Sequence, residues 1–399
     1  MADLNKPVGS AGEVLRAFIG LGFTSFGGPV AHLGYFRTAF VERRAWLSDT
    51  AYGELVALCQ FLPGPASSQV GFALGWMRAG PLGALAAWAA FTLPSALALV
   101  LVAFGAALFE GATGAALLQG LKLVAVAVVA HALWGMARAL CPDAERASLA
   151  VLAAIAMLLF STALMQVAVI LVGGLAGLWL CRNIAAAEEA RLDIPVSRPL
   201  ALSCLGLFFV LLVGLPLIAE LAPAIGLFDA FYRAGALVFG GGHVVLPLLE
   251  AEVVGEGGVS ADAFLAGYGA AQAVPGPLFT FGAYLGAVME SPPNGVIGAA
   301  IALVAVFVPG FLLLIGVLPF WSDLASQKGA RAALAGANAA VVGLLGAALY
   351  DPVWTSAVLT PRDFAFALAG FALLTVWKAS PLIVVALLAV GNMAVSFLP

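Results

Sequence analysis

The chain has 399 residues, of which 63% are hydrophobic and 10% are charged, where an ordinary soluble domain carries roughly 25% charged residues. Its 17 basic and 21 acidic side chains leave a net charge of −4, so no basic field exists to collect phosphates. A soluble globular protein and a nucleic-acid binder are both excluded.

Residues 1–16 are polar and mixed in charge. They lack the basic region, apolar core and small-residue cleavage site of a secretory signal, so the segment is expected to stay on and face the cytoplasm. A helix crossing the hydrocarbon core needs about 20 apolar residues. Residues 55–77, 81–109, 147–181, 199–219, 263–289, 291–322 and 379–399 contain no Asp, Glu, Lys or Arg. No run of short alternating strands of the β-barrel kind is visible. The chain therefore reads as a polytopic helical membrane protein. Cys59, Cys141, Cys181 and Cys204 have no CxxC spacing and read as small apolar fillers.

The sequence repeats itself. Phe18-x-x-x-Gly22-x-x-x-Phe26-Gly27-Gly28 returns as Phe231-x-x-x-Gly235-x-x-x-Phe239-Gly240-Gly241, and Gln60-x-x-Pro63-Gly64-Pro65 returns as Gln272-x-x-Pro275-Gly276-Pro277. Pro94 corresponds to Pro309, and residues 120–132 to 336–348. Short cytoplasmic loops are enriched in Lys and Arg. Arg37, Arg43 and Arg44 share one connection of the first half, whereas its counterpart holds Glu250, Glu252, Glu256 and Asp262. Arg78 likewise corresponds to Glu290. A charge pattern that flips between halves is what inverted topology predicts.

If Arg37–Arg44 and Arg78 lie on one side, the segment between them must enter and leave on that side. Pro-Gly-Pro at its centre removes backbone donors and biases the preceding residue away from helix. Residues 51–77 and 263–289 are therefore expected to be re-entrant hairpins, with the Phe-Gly-Gly segments 14–35 and 228–249 broken in the same way; ordinary proline kinks are the alternative. The expected fold class is all-α, two homologous halves as inverted-topology repeats with broken helical hairpins. The expected divisions are a cytoplasmic segment 1–13, a first repeat 14–182, a linker with one extra spanning helix 183–226, and a second repeat 227–399.

Broken backbone at membrane depth survives only when buried in protein or lining a polar cavity. Four breaks in two symmetric pairs point to a central site, and free amides at half-helix starts favour an anion. The candidate binding residues are Phe26, Gly27, Gly28, His32, Gln60, Pro63, Gly64, Pro65, Gly240, Gly241, Gly242, His243, Gln272, Pro275, Gly276 and Pro277. Arg37, Arg78 and Lys122 are added as basic groups able to attract an anion, with plain topology determinants as the other reading of the two arginines. Glu54, Lys122, His131 and Arg233 read as isolated ionisable groups in membrane segments, which are functional candidates by default. No HExxH, GxSxG, phosphate loop or cofactor fingerprint is present, so no cofactor, metal or ATP hydrolysis is expected.

Phe26-Gly27-Gly28-Pro29, the run from Leu58 to Pro65, the run from Phe239 to Leu248, and Ala271-Gln272-Ala273-Val274-Pro275-Gly276-Pro277 closely resemble the chromate ion transporter family in its long, two-domain form. The resemblance covers nearly the whole chain from about Val14, and each half carries both motifs in order. It implies a multi-pass transporter of the cytoplasmic membrane that exports chromate by the proton gradient and confers resistance. Chromate and sulfate are both tetrahedral dianions, so a sulfate-type carrier is the runner-up and an intramembrane enzyme the competing class. Proton coupling needs a group that changes charge, and His32, His243 and Glu54 are the candidates, His32 first. The partners expected are the oxyanion, protons and the lipid bilayer, with a homodimer left open.

Overall fold

The computed structural model describes residues 9–26, 28–106, 112–160, 162–181, 194, 196–238, 245–254 and 258–396. Of the sequence candidates, Gly27, Gly240, Gly241, Gly242 and His243 lie outside the described residues.

The first half opens with α1 (Ala11–Thr24) and α2 (Gly28–Phe36), separated by the Phe-Gly-Gly break, and continues through a π-helical turn at Arg37–Arg43. The Pro-Gly-Pro turn then separates α3 (Asp49–Phe61) from α4 (Ala66–Ala106). α4 is itself broken at Ala79 and Gly80, where Gly80 has φ 63°. Pro81 restarts the helix at a first-turn position, where its missing N–H costs nothing. α5 (Ala112–Leu140), α6 (Ala144–Leu159) and α7 (Ala163–Leu180) complete the half.

Unpaired between the halves stands α8 (Arg198–Ile218), which packs mainly on α9 and α13 of the second half and leaves Phe209, Val213 and Leu217 exposed, as a lipid-facing helix does. The second half repeats the order: α9 (Pro223–Ala236), α10 (Val245–Val253), α11 (Ala261–Ala271), α12 (Phe281–Val288) and α13 (Gly295–Val317). After α14 (Trp321–Ser326) come α15 (Lys328–Ala348), α16 (Thr355–Ala357), α17 (Pro361–Thr375) and α18 (Pro381–Ser396). No strand occurs among the described residues, and five of their helices are long and apolar enough to cross a membrane.

Helix starts repeat along with the helices. Ser48 accepts a hydrogen bond from the Ala51 amide, and its counterpart Ser260 accepts one from Ala263. Each satisfies an orphan first-turn donor. α3 has 13 residues and α11 has 11, so at 1.5 Å per residue both are about 20 Å or shorter and fall short of a bilayer core of about 30 Å. Both are arms of hairpins that turn at Pro-Gly-Pro, as the loop charges required.

The packing within each half repeats too. Gly22 on α1 lies against the Ala90 carbonyl and the Pro94 ring, and Gly235 on α9 lies against the Val306 carbonyl and the Pro309 ring. A Cβ at either glycine would collide with backbone. Between the halves, the long helices trade partners: α6 and α7 pack on α15 of the second half, while α17 and α18 pack on α5 of the first. Each half thus completes the other's core.

Candidate functional site

The two Pro-Gly-Pro turns meet the Phe-Gly-Gly segments of the opposite half. The Gly64 amide donates to the Val238 carbonyl at 2.7 Å, and the Gly276 amide donates to the Ser25 carbonyl at 2.9 Å. Val238 and Ser25 are equivalent positions of the repeat, each just before Phe-Gly-Gly, so the two bonds are reciprocal. Gly64 has φ 121° and Gly276 φ 96°, a region that only glycine occupies freely. Space is equally restrictive. A Cβ at Gly64 would stand 3.0 Å from the Gly310 Cα, and one at Gly276 would stand 2.8 Å from Ser95 Oγ. Gly310 and Ser95 each follow the paired helix prolines Pro309 and Pro94.

At the Ser25–Gly276 contact, Gly28 and Pro29 at the start of α2 face Gln272 and Gly276 across a cavity of about 20 Å³, closed further by Ala271 and Leu278. That is the space of about one water molecule. Among the described residues, the Gln272 Nε2 atom is buried without a hydrogen-bond partner, as are the Ser25 and Ser68 hydroxyls. Each unfilled buried donor costs about 1–3 kcal/mol, so such groups mark places where a further polar species fits. No Lys or Arg is among the described residues lining this cavity. Phe26 stands at the first break; Pro63 is half-buried while Pro65 and Pro277 are buried, and Pro275 is half-buried. Gln60, the repeat partner of Gln272, is exposed at the end of α3. The repeat is therefore reciprocal in backbone and unequal in side chains.

His32 is fully buried beside this contact, with Nε2 3.1 Å from the Ser25 carbonyl and Nδ1 3.3 Å from Ser67 Oγ. Gln69 bridges the halves in the first turn of α4: its Nε2 donates to the carbonyls of Pro63 and Gly310 at 3.0 and 2.9 Å.

The basic candidates lie elsewhere and carry partners. Lys122 Nζ donates to Asp262 Oδ1 at 2.7 Å, and Arg233 contacts Asp229 at 3.0 Å and Glu252 at 2.7 Å. The expectation of isolated charges is corrected for both, because burying a charge is costly unless it is paired. His131 pairs with Thr375 Oγ1 at 3.1 Å. Glu54 is half-buried on α3. Arg78 holds the Glu13 carboxylate through Nε and Nη2 at 3.1 and 2.8 Å and lies over the Trp46 ring. Arg37 bonds Asp49 and Glu42, and its guanidinium holds the exposed Asp49 carboxyl below the usual carboxylate range. Both arginines are already neutralised in this arrangement.

Glu250 and Glu252, expected in a connection, belong to α10. Glu252 turns inward because Arg233 supplies its counter-charge. Glu250 lines a cavity of about 500 Å³ with Asp351, Thr162 and Gln166. The sequence reading missed Ser25, Ser95, Gln166 and Asp351. Repeat comparison hid the serines, since their counterparts are Val238 and Gly310.

Comparison with known proteins follows the same division. The family described as "Chromate transporter" matches residues 12–178 and again 225–393. The chain is 29% identical over 388 residues to the chromate transport protein of Pseudomonas aeruginosa, covering 95% of this chain and 90% of that one. It is 28% identical to a probable chromate transport protein of Synechococcus elongatus, covering 85% and 86%. To the chromate transport protein of Cupriavidus metallidurans it is 26% identical, covering 96% and 92%. No solved structure matches the chain.

Proposed function

The chain belongs to the chromate transporter family, and from that premise we propose that it exports chromate across the cytoplasmic membrane, driven by the proton gradient, and so confers resistance. The observation that carries the reading is the contact of the second Pro-Gly-Pro turn with the first Phe-Gly-Gly break, which closes on a cavity that, among the described residues, holds a buried amide with no hydrogen-bond partner and has no base in its lining. Helix-start amides and neutral side-chain donors suit an oxyanion held briefly, because preoriented dipoles favour negative charge without a full counter-charge that would resist release. A five-atom oxyanion is larger than the water-sized cavity, so the described arrangement is closed. Loading requires the Ser25–Gly276 contact to part.

Both ring nitrogens of His32 are committed to protein partners, which moves the coupling proton to Glu54 and His243. The test is uptake of radiolabelled chromate into everted vesicles, with and without a proton gradient and excess sulfate. Accumulation only with the gradient and unaffected by sulfate supports the proposal. Accumulation abolished by sulfate makes this a general tetrahedral-oxyanion carrier, and none for either anion removes the oxyanion reading. Glu54→Gln or His243→Asn should retain equilibrium exchange of chromate while losing accumulation. If both accumulate like the parent, neither carries the proton.

A further inference from the structure

We propose that His32 is a positioning residue: it holds the Ser25 carbonyl where that carbonyl receives the Gly276 amide of the opposite half, and it carries no transported proton. The inference rests on the oxyanion-transport reading for its consequence, though not for its geometry.

A carbonyl oxygen only accepts, so the Nε2 atom facing Ser25 must bear the hydrogen. Nδ1 of the neutral ring then accepts from the Ser67 hydroxyl. The tautomer follows from the partners rather than from pH. The ring has no exposure, and the Phe91 ring stands edge-on to it at 5.2 Å. Its two hydrogen-bond partners are neutral, and an imidazolium buried without a counter-charge is costly.

What the ring does is join three breaks. Ser25 ends α1 at the Phe-Gly-Gly break, Ser67 follows the Pro-Gly-Pro turn of the same half, and Gly276 is the turn of the other half. The Ser25 carbonyl accepts both His32 Nε2–H at 3.1 Å and Gly276 N–H at 2.9 Å. The repeat counterparts of His32 and Ser67 are Val245 and Phe279, neither of which can make this link. The halves are therefore tied by different side chains at their two reciprocal contacts: Gln69 spans the Gly64 contact, and His32 reinforces the one bordering the closed cavity.

The test compares His32→Gln, whose side-chain N–H reaches toward the same carbonyl, with His32→Asn, which is one methylene shorter. Two readouts are used: chromate transport in everted vesicles, and maleimide labelling of Gln272→Cys in a cysteine-free background, which reports opening of the contact whether or not chromate is the substrate. His32→Asn should speed labelling and lower the maximal transport rate, each by about fivefold to tenfold, the equilibrium cost of one lost hydrogen bond. His32→Gln should restore both, with the parent's pH profile, and Ser67→Ala should fall between. The proposal is overturned if His32→Gln exchanges chromate yet loses gradient-driven accumulation, since His32 is then the proton carrier. It is equally overturned if His32→Asn, inserted at the parent's level, labels and transports like the parent. Absence of transport by the parent would remove the oxyanion reading while leaving the labelling result to decide the role of His32.

Discussion

Gly64 and Gly276 are the residues at which chain geometry and the candidate site coincide. Their positive φ and their contacts with Gly310 and Ser95 leave no room for a side chain, and an unfavourable backbone conformation alone costs on the order of 1–3 kcal/mol. Gly64→Leu and Gly276→Leu should each reduce chromate transport at least about tenfold, given that strain, while membrane insertion persists. Transport and insertion are measured on the same vesicles; two variants with parental rates would place the turns away from the ligand. The Pro-Gly-Pro motif made these glycines legible from sequence. Ser25 was not legible, since its role depends on a backbone carbonyl, an atom every residue has.

Half-helices are the second scale. α3 and α11 are too short to span, and each is followed by a Pro-Gly-Pro turn, so the basic connection after α2 and Arg78 belong on one face. Inverted topology adds that Arg43 and Glu256 face opposite sides. Single cysteines at these two positions, in a cysteine-free background, should react with an impermeant maleimide from opposite sides of the membrane. Labelling of both from the same side would end the inversion. The glycine contacts that seat α1 on Pro94 and α9 on Pro309 recur in both halves, because a helix can approach its neighbour's backbone this closely only where it lacks a Cβ.

For the whole molecule the exchange of long helices decides how it assembles. Since α6 and α7 pack on α15, and α17 and α18 on α5, neither half alone covers its small-residue faces. The chain divided within the linker between residues 183 and 193 should therefore transport when both pieces are co-expressed, and a tag on one piece should recover the other. Either piece alone should be degraded, as followed by immunoblot. A first half that accumulates stably by itself would contradict the exchanged packing. Outside this core the exposed leucines, valines and Phe209 of α8 face the bilayer, where apolar surface carries no hydration penalty.

Class, duplication and the breaks at the first Phe-Gly-Gly and the two Pro-Gly-Pro turns were determined by the sequence itself, because they rest on composition, on Pro and Gly chemistry and on spacing along one chain. Long runs without charge can only be membrane helices, and a Pro-Gly-Pro inside one must interrupt it. Which charges are partnered was decided by the tertiary structure alone. Lys122 and Asp262 are 140 positions apart and bond directly, and Arg233 finds Glu252 only because α9 and α10 pack together. The same holds for the centre. Gly276 and Ser25 come from opposite halves, and the exchange that joins them depends on which small-residue faces fit one another in three dimensions, a matter of shape that no periodicity along the chain records.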